Sequence, residues 1–374
     1  MSKKLIIIAS SIIGVLILLL LVLWIMSLFS HKYYTYEEVE AKMIEATKTF
    51  YNKNPEILPV NDGRSTLSYN TLVENEVIKP LNELLRDGDS CTAEIGVVKN
   101  ENNYTYIPKL VCSDKYATIE LAEHIINNNE VVTQGSGLYS DNQGGYYFRG
   151  KIDNNYLTIG SFKKEGSKDP IGILWQIISI DKDGSIKIRA LYPAARTVFD
   201  NRYNETQGQK IGYNDFEMSV LKEKLKELET NEEFLTNDQK AYFLKSKLCI
   251  GKRTDTDTSK DGSTECSTLS QDDYLFGLLY PYEYMRASLD NNCKNMFSPS
   301  CQNFNLLSGD GFGNNWTLIA SPINNFEVYS FDGVEYSISK ADKERSLFVT
   351  AKLNPYTIFK SGDGTRENPY KLTN

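Results

Sequence analysis

Histidine is scarce in this chain, whose 374 residues include only two, His31 and His124. Ser-His-Asp and Cys-His catalysis both need a histidine as base, and the segment after residue 131 contains none. His124 stands in ELAEHIINN, a predicted helix end where a structural role is the simpler interpretation. No P-loop, G-x-G-x-x-G or H-E-x-x-H motif occurs either. These absences favour a non-enzymatic protein, although a carboxylate pair of the glycosidase type stays open.

Clusters of Lys and Arg are also lacking along the sequence. The chain has 41 Lys and Arg against 49 Asp and Glu, a formal net charge of −8 and a pI of about 5.1. A surface that binds nucleic acid needs concentrated positive charge. The sequence therefore predicts no nucleic-acid partner.

Only the N-terminus contains a long apolar run. Residues 5–29, LIIIASSIIGVLILLLLVLWIMSLF, carry no charge and are long enough to cross a hydrocarbon core of about 30 Å. A cleaved signal peptide is the alternative, but its apolar region is shorter and a small-residue site follows it. We predict an uncleaved signal anchor at 5–29 in the cell membrane. Lys3 and Lys4 favour a cytoplasmic tail at 1–4 and an extracellular body.

The six cysteines lack the C-x-x-C spacing of structural zinc sites. All of them follow the predicted anchor, and they fall into three close pairs. Such pairs form local disulfides in an oxidising compartment. We predict the bonds Cys91–Cys112, Cys249–Cys266 and Cys293–Cys301.

The segment CIGKRTDTDTSKDGSTEC, from Cys249 to Cys266, resembles a calcium loop in its aspartates, Asp255, Asp257 and Asp261. An EF-hand has Gly at its sixth position and Glu at its twelfth. Counted from Asp255, these positions hold Lys260 and Cys266, so the register fails. The sequence predicts a solvated, disulfide-clipped loop with no metal and no other cofactor, and calcium is the alternative.

The hydropathy pattern predicts an α+β chain with two domains beyond the anchor. Residues 33–125 are predicted to form a small domain. It has a helix capped at Thr35, a short helix near Ser68 and a β-hairpin closed by Cys91 and Cys112. Residues 131–374 are predicted to form a larger, mainly antiparallel β domain with a few helices. Its clearest hairpin turns at Asp181-Lys-Asp-Gly184, and a helix that Asn214 or Asp215 can cap is predicted to follow.

A candidate binding site lies in the loop from Gly309 to Trp316. Asp310, Asn314, Asn315 and Trp316 stand together just before a predicted strand. An aromatic face beside amide and carboxylate groups suits sugars or peptide ends. The alternative is that Trp316 belongs to the core.

Several motifs resemble known bacterial domains. GSGLYSDNQGGYYFRGKIDNNYL, LWQIISIDKDGSIKI and SGDGTRENPYKL, within 131–374, resemble a recurring extracellular domain in surface proteins of low-GC Firmicutes, whose function is not established. STLSYNTLVENEVIKPL and YTYIPKLVC resemble the disulfide-clipped region of pilin-like proteins, without the processing site of a prepilin. The larger domain is also similar, by fold analogy alone, to the formylglycine-generating-enzyme and C-type-lectin-like group.

Together these features predict a membrane-anchored extracellular protein of a bacterial cell surface. We expect non-enzymatic binding or adhesion to a glycan, the cell wall or another protein. A structural or pilus-like assembly component is one alternative, and a cell-envelope hydrolase is another.

Overall fold

The computed structural model describes residues 33–60, 64–100, 103–162, 171–309 and 313–372. The chain divides into two compact units between Thr118 and Ile119. Each unit is α+β, with mostly antiparallel sheets and few helices, which confirms the predicted fold class. The predicted tail at 1–4 and anchor at 5–29 lie outside the described residues. Within the described ranges, no helix combines the length and apolar character needed to cross a membrane.

The N-terminal unit packs helices against one antiparallel sheet. Its α-helices are Tyr36–Lys53, Tyr69–Glu74 and Leu81–Leu84, and its 3-10 turns are Pro55–Ile57 and Gly88–Ser90. The four strands follow one another in the sheet in chain order, Arg64–Ser68, Cys91–Asn100, Asn103–Cys112 and Tyr116–Ala117.

The first helix begins as its sequence predicts. Thr35 accepts a hydrogen bond from the Glu38 N–H at 3.2 Å, and Glu38 accepts one from the Thr35 N–H at 2.9 Å. This capping box satisfies two N–H groups that have no partner inside the helix. Val39 and Met43 then lie four residues apart on one face and are fully buried in the core of the unit. The predicted helix near Ser68 is also confirmed, because the Ser68 hydroxyl caps Tyr69–Glu74.

The C-terminal unit is built on two larger sheets. Its α-helices are Leu121–Asn128, Val220–Thr230, Asn237–Lys240 and Pro281–Ala287, and its 3-10 turns are Phe216–Met218, Glu265–Ser267 and Pro299–Gln302. In the seven-stranded sheet the order is Phe243–Leu244, Thr350–Leu353, Ile186–Ala190, Ile171–Ile180, Tyr146–Arg149 and Gly137–Ser140, with Tyr156–Phe162 also paired to Ile171–Ile180.

The five-stranded sheet has the order Ala195–Val198, Glu344–Leu347, Asn315–Ala320, Glu327–Phe331 and Tyr336–Lys340. Two short ladders complete the unit, Ser246–Cys249 with Leu269–Tyr274 and Phe359–Ser361 with Lys371–Leu372. The strand Tyr156–Phe162 also contacts the late segment of the chain. Tyr370 donates its N–H to the Tyr156 carbonyl at 2.9 Å, and Thr158 donates to the Tyr370 carbonyl at 3.1 Å.

The predicted hairpin around Asp181-Lys-Asp-Gly184 is confirmed. Ile171–Ile180 pairs with Ile186–Ala190, and Gly184 takes a φ of +87° that favours glycine. Asp183 accepts hydrogen bonds from the N–H and hydroxyl of Ser185 at 2.9 and 2.7 Å. These bonds are ordinary turn chemistry.

Two predicted boundaries are corrected. The domain predicted to end at residue 125 ends at Thr118, because Leu121 and Ile125 are buried in the core of the C-terminal unit. The helix predicted to be capped by Asn214 or Asp215 is capped by Ser219 and begins after it. Asp215 caps a separate 3-10 turn, and the Ser219 hydroxyl accepts the Lys222 N–H at 3.0 Å to start the α-helix.

Candidate functional site

The structure does not expose the indole of the predicted Gly309–Trp316 site. Trp316 is 2 % exposed, and its Nε1–H donates to the Thr197 carbonyl at 2.9 Å. Asn315 is also buried, Asn314 is exposed, and Asp310 lies outside the described residues. The strand Asn315–Ala320 is buried along its whole length inside the five-stranded sheet. The aromatic face on which the predicted site depended is therefore part of the core, as the alternative interpretation held.

All three predicted disulfides are present, and the Cys249–Cys266 bond closes a loop built around a buried arginine. Arg253 and Glu265 are both fully buried, and Arg253 Nη1 donates to Glu265 Oε1 at 2.7 Å. Arg253 Nη2 also donates to the carbonyls of Asp257 and Ser259, at 3.1 and 2.7 Å. One guanidinium thus fixes the backbone of a loop that has almost no apolar side chains.

Asp257 and Asp261 of this loop are engaged in its own hydrogen bonds, whereas Asp255 is exposed. Asp257 accepts from the Ser259 N–H at 2.7 Å and from the Thr264 hydroxyl at 2.6 Å. Asp261 Oδ1 accepts from the hydroxyl of Ser259 and from the N–H and hydroxyl of Ser263, which lower the Asp261 pKa to about 2. Within the described part of the chain, no group of three His, Cys, Asp or Glu residues is arranged to hold a metal ion.

The Cys293–Cys301 loop is held in a similar way. Asp290 accepts from the Asn292 N–H at 2.8 Å and from the Asn303 amide at 2.8 Å. Asn305 is buried, and its amide donates to the Cys301 carbonyl at 2.7 Å. The Ser298 hydroxyl accepts the N–H of Asn295 at 3.1 Å. Both loops are therefore ordered by side chains that fold back on the loop backbone.

A cleft of about 460 Å³ lies between these two loops. We call it the loop cleft, and it is lined by Thr258, Lys260, Asn291, Cys293 and Lys294. One lysine comes from each loop. Lys260 is half-buried and Lys294 is exposed. Burial, together with the positive charges of Arg149 and Lys294, lowers the pKa of Lys260. The cleft is therefore a site of positive charge on a chain whose net charge is −8.

The cations around the loop cleft form no ion pair with the carboxylates that the structure describes. Across the described residues, ion pairs hold Arg253 and Lys187, but Lys260, Lys294 and Arg149 form none with a carboxylate. Arg149 donates to the Ser288 carbonyl at 2.7 Å. This carbonyl is neutral, so the positive charge of Arg149 is not cancelled and acts on Lys260 in the cleft.

A group of tyrosines and arginines lies beside the loop cleft. The Arg149 guanidinium lies 4.9 Å from the centre of the Tyr139 ring, and the Arg286 guanidinium lies 4.3 Å from that of Tyr147. Arg286 also lies 5.5 Å from the Tyr282 ring. Stacking on an aromatic face orders a guanidinium without neutralising it. We call these five residues the tyrosine–arginine cluster, in which Tyr139 is buried and the other four are partly exposed.

The helix Pro281–Ala287 connects the tyrosine–arginine cluster to the Cys249–Cys266 loop. The Tyr282 N–H donates to Glu265 Oε1 at 3.1 Å, so the buried carboxylate joins the loop to the start of the helix. The next residue, Glu283, pairs with the buried Lys187 at 2.5 Å. Burial lowers the pKa of Lys187. These contacts fix the rotation of the helix and hence the direction of Arg286.

Sequence reasoning missed the loop cleft. Lys260 stands among Asp, Ser and Thr, and Lys294 stands in NNCKN, so each segment alone is typical of a solvated loop. The signal available was the pairing of cysteines on both segments. It indicated two ordered loops, but it carried no information that they lie side by side.

Three comparisons with known proteins gave no relationship. No protein-family model matches the chain, and no curated protein and no solved structure matches it either.

Proposed function

We propose that this chain is a membrane-anchored extracellular protein of a bacterial surface that binds a polymer of the cell wall or another surface glycan without catalysis. The apolar run at 5–29 is the proposed anchor. The resemblance of the N-terminal unit to pilin-like proteins and that of the C-terminal unit to a bacterial surface domain support the location on a bacterial surface. The three disulfides also support an oxidising location.

One observation carries the binding part of the proposal. Two disulfide-braced loops hold unpaired lysines beside arginines stacked on tyrosines. Unpaired cations repel one another, so their concentration does not improve folding, and a ligand of opposite charge would relieve the repulsion. Tyrosine and arginine are also the side chains that binding surfaces favour.

Topology is the first test of this proposal. Protease added to intact cells that produce the full chain is expected to digest the body, while the same cells without protease retain full-length protein. Complete protection in intact cells, followed by digestion after lysis, would contradict an extracellular body.

Binding is the second test. The full chain in a neutral detergent would be presented to purified bacterial cell walls, neutral glycans and a panel of extracellular proteins. We expect saturable binding to cell walls that weakens as salt is added, because charged surfaces are screened. The absence of saturable binding, with crosslinking of the chain to its own copies, would favour the assembly alternative.

A further inference from the structure

We propose that the loop cleft binds a phosphate group carried on a sugar or polyol chain. The identity of the carrier polymer rests on the proposed function. The phosphate site itself rests on the geometry of the cleft, so the two can fail separately.

The first argument is charge. Lys260 and Lys294 enter the cleft from opposite loops, and Arg149 adds a third positive charge nearby. Hydrogen bonds hold the carboxylates of Asp257, Asp261 and Asp290 on their own segments without removing their negative charge, and among the described residues none of them forms an ion pair with Lys260 or Lys294. The charges that act on the Lys260 ammonium are those of Arg149 and Lys294, so the field at this lysine is positive although the chain as a whole is acidic.

The second argument is the shape of the donors. Ammonium groups act as point charges with three donors each, and they suit the several oxygens of a phosphate. The fork of an arginine matches carboxylates and phosphates alike, so the preference for phosphate rests on further donors beside the lysines, which the additional oxygens of a phosphate can use. The arginine beside the cleft, Arg149, donates to the Ser288 carbonyl and stacks on Tyr139. Thr258 and Asn291 line the same space and carry a hydroxyl and an amide that are able to donate to phosphate oxygens.

The third argument is order. Arg253 holds the carbonyls on either side of Thr258, and the Ser298 hydroxyl holds the backbone next to Lys294. The rims of the cleft are thus fixed before a ligand arrives, which reduces the entropy lost on binding.

A sugar or polyol phosphate is favoured over nucleic acid as the source of the phosphate. Proteins that bind nucleic acid spread positive charge along a stripe that follows many phosphates. In this structure Lys260, Lys294 and Arg149 meet at one cleft and do not form a stripe, in a chain with eight more acidic than basic side chains, 49 against 41.

The test compares two variants of the full chain in neutral detergent. K260E/K294E reverses both lysines of the cleft. K210E/K360E reverses two exposed lysines elsewhere in the C-terminal unit and makes the same change in net charge. Circular dichroism melting is run on both, and K260A/K294A replaces the first variant if it fails to fold. The probes are inorganic phosphate, poly(glycerol phosphate), polygalacturonate, a single-stranded DNA and neutral dextran.

We expect poly(glycerol phosphate) to bind the native chain, and the affinity to fall by at least about 10-fold in K260E/K294E and less than about 2-fold in K210E/K360E. The slope of log affinity against log salt should fall by about two in the cleft variant, one for each lysine that contacts phosphate. Competition by inorganic phosphate, without competition by dextran, would support the same site.

Other outcomes would overturn the proposal. Equal losses in the two variants would mean that net charge alone attracts the polymer. Tighter binding of polygalacturonate would assign the cleft to carboxylates, and tighter binding of DNA would assign it to nucleic acid. If the cleft binds poly(glycerol phosphate) but cell walls do not bind the full chain, the phosphate site stands and the proposed function fails.

Discussion

The Cys91–Cys112 hairpin and the Cys249–Cys266 loop are closed by the same kind of bond but are held in different ways. Cys91 and Cys112 lie opposite each other at the end of a ladder that continues without a break from Cys91–Cys112 to Asn100–Asn103. The ladder around Cys249 has a register shift and ends at the Cys249–Leu269 pair, so the residues between Cys249 and Cys266 lie outside it. In the hairpin, the backbone hydrogen bonds of the ladder hold the chain in one conformation. In the loop, the buried Arg253 and the disulfide hold the backbone instead.

The largest expected effect comes from removing that arginine. Arg253→Met leaves the buried Glu265 carboxylate without its partner and frees two loop carbonyls. Breaking a buried ion pair from one side costs about 3–5 kcal/mol. We expect a loss of this order in the free energy of unfolding of the C-terminal unit, measured by urea denaturation of the full chain.

The double variant R253M/E265Q is the control for this experiment. It removes the uncompensated charge and should recover part of the loss. Burial already raises the pKa of Glu265, so protonation stabilises the fold at low pH and this contribution is lost as pH rises through that pKa. The R253M defect should therefore be smaller at pH 5 than at pH 7. An R253M chain as stable as the native one would show that the disulfide alone orders the loop.

The second prediction compares the disulfides directly. Replacing either pair by alanine should cost its unit roughly 3 kcal/mol in the chain-entropy model, because the closed loops have similar lengths, with separations of 21 and 17 residues. Hydrogen exchange should distinguish the two variants. We expect the amides of 91–112 to stay protected without their bond, while those of 250–265 lose protection. Equal loss of protection in both segments would contradict the distinction drawn above.

The third prediction concerns alkaline pH and the buried phenols of the C-terminal unit. Burial raises the pKa of Tyr69 and Tyr116 in the N-terminal unit as well, so both units should lose stability at high pH. Burial raises the pKa of Tyr280 and Tyr336 above the usual value of 10. Their stabilising contribution is complete below pH 10 and is lost as pH rises toward the folded pKa. Each such tyrosine should lower stability by about 1.4 kcal/mol per pH unit in that window. Lys187 acts in the opposite sense, because its pKa is lowered and charging it in the fold is unfavourable.

Tyrosinate absorbance and circular dichroism, followed together from pH 8 to 12, would measure this effect. The hydroxyls of Tyr280 and Tyr336 should ionise only as the C-terminal unit unfolds. Ionisation of all tyrosines near pH 10 with the fold intact would show that these hydroxyls are accessible.

The smallest expected effect concerns the N-terminal unit. Thr35→Ala removes one hydrogen bond of the capping box and should cost about 1 kcal/mol. Thr49→Ala is the matched control in the same helix. Its hydroxyl donates to the Glu45 carbonyl at 2.9 Å and caps nothing, so its loss should change stability little. Equal effects of the two substitutions would remove the cap as the cause.

Short-range patterns explain how much of the fold could be predicted. The cap at Thr35, the cysteines at the ends of the hairpin and the Asp-Gly turn at Gly184 each act over a few residues or one ladder. Asp215 and Ser219 are both good caps, so the sequence alone does not show which of them starts the helix. In the structure the turn Phe216–Met218 follows Asp215, and the helix follows Ser219.

The site could not be predicted, because it is formed by residues that lie far apart along the chain and meet only in the folded unit. Trp316 resembles a surface aromatic beside Asn residues, yet the central position of its strand in the sheet buries it. Lys260 and Lys294 carry no pattern in common and are brought together by tertiary packing alone. Contacts of this kind follow from the assembled sheets and not from hydrophobic periodicity.

The pairing of Tyr156 and Thr158 with Tyr370 has a consequence for biogenesis. A ribosome or a translocon delivers the strand Tyr156–Phe162 more than two hundred residues before the segment that completes it. Until that segment emerges, the Tyr156 carbonyl and the Thr158 N–H lack the partners that Tyr370 supplies in the folded unit. Such long-range closure slows folding, so nascent chains of the C-terminal unit would need protection from pairing with one another.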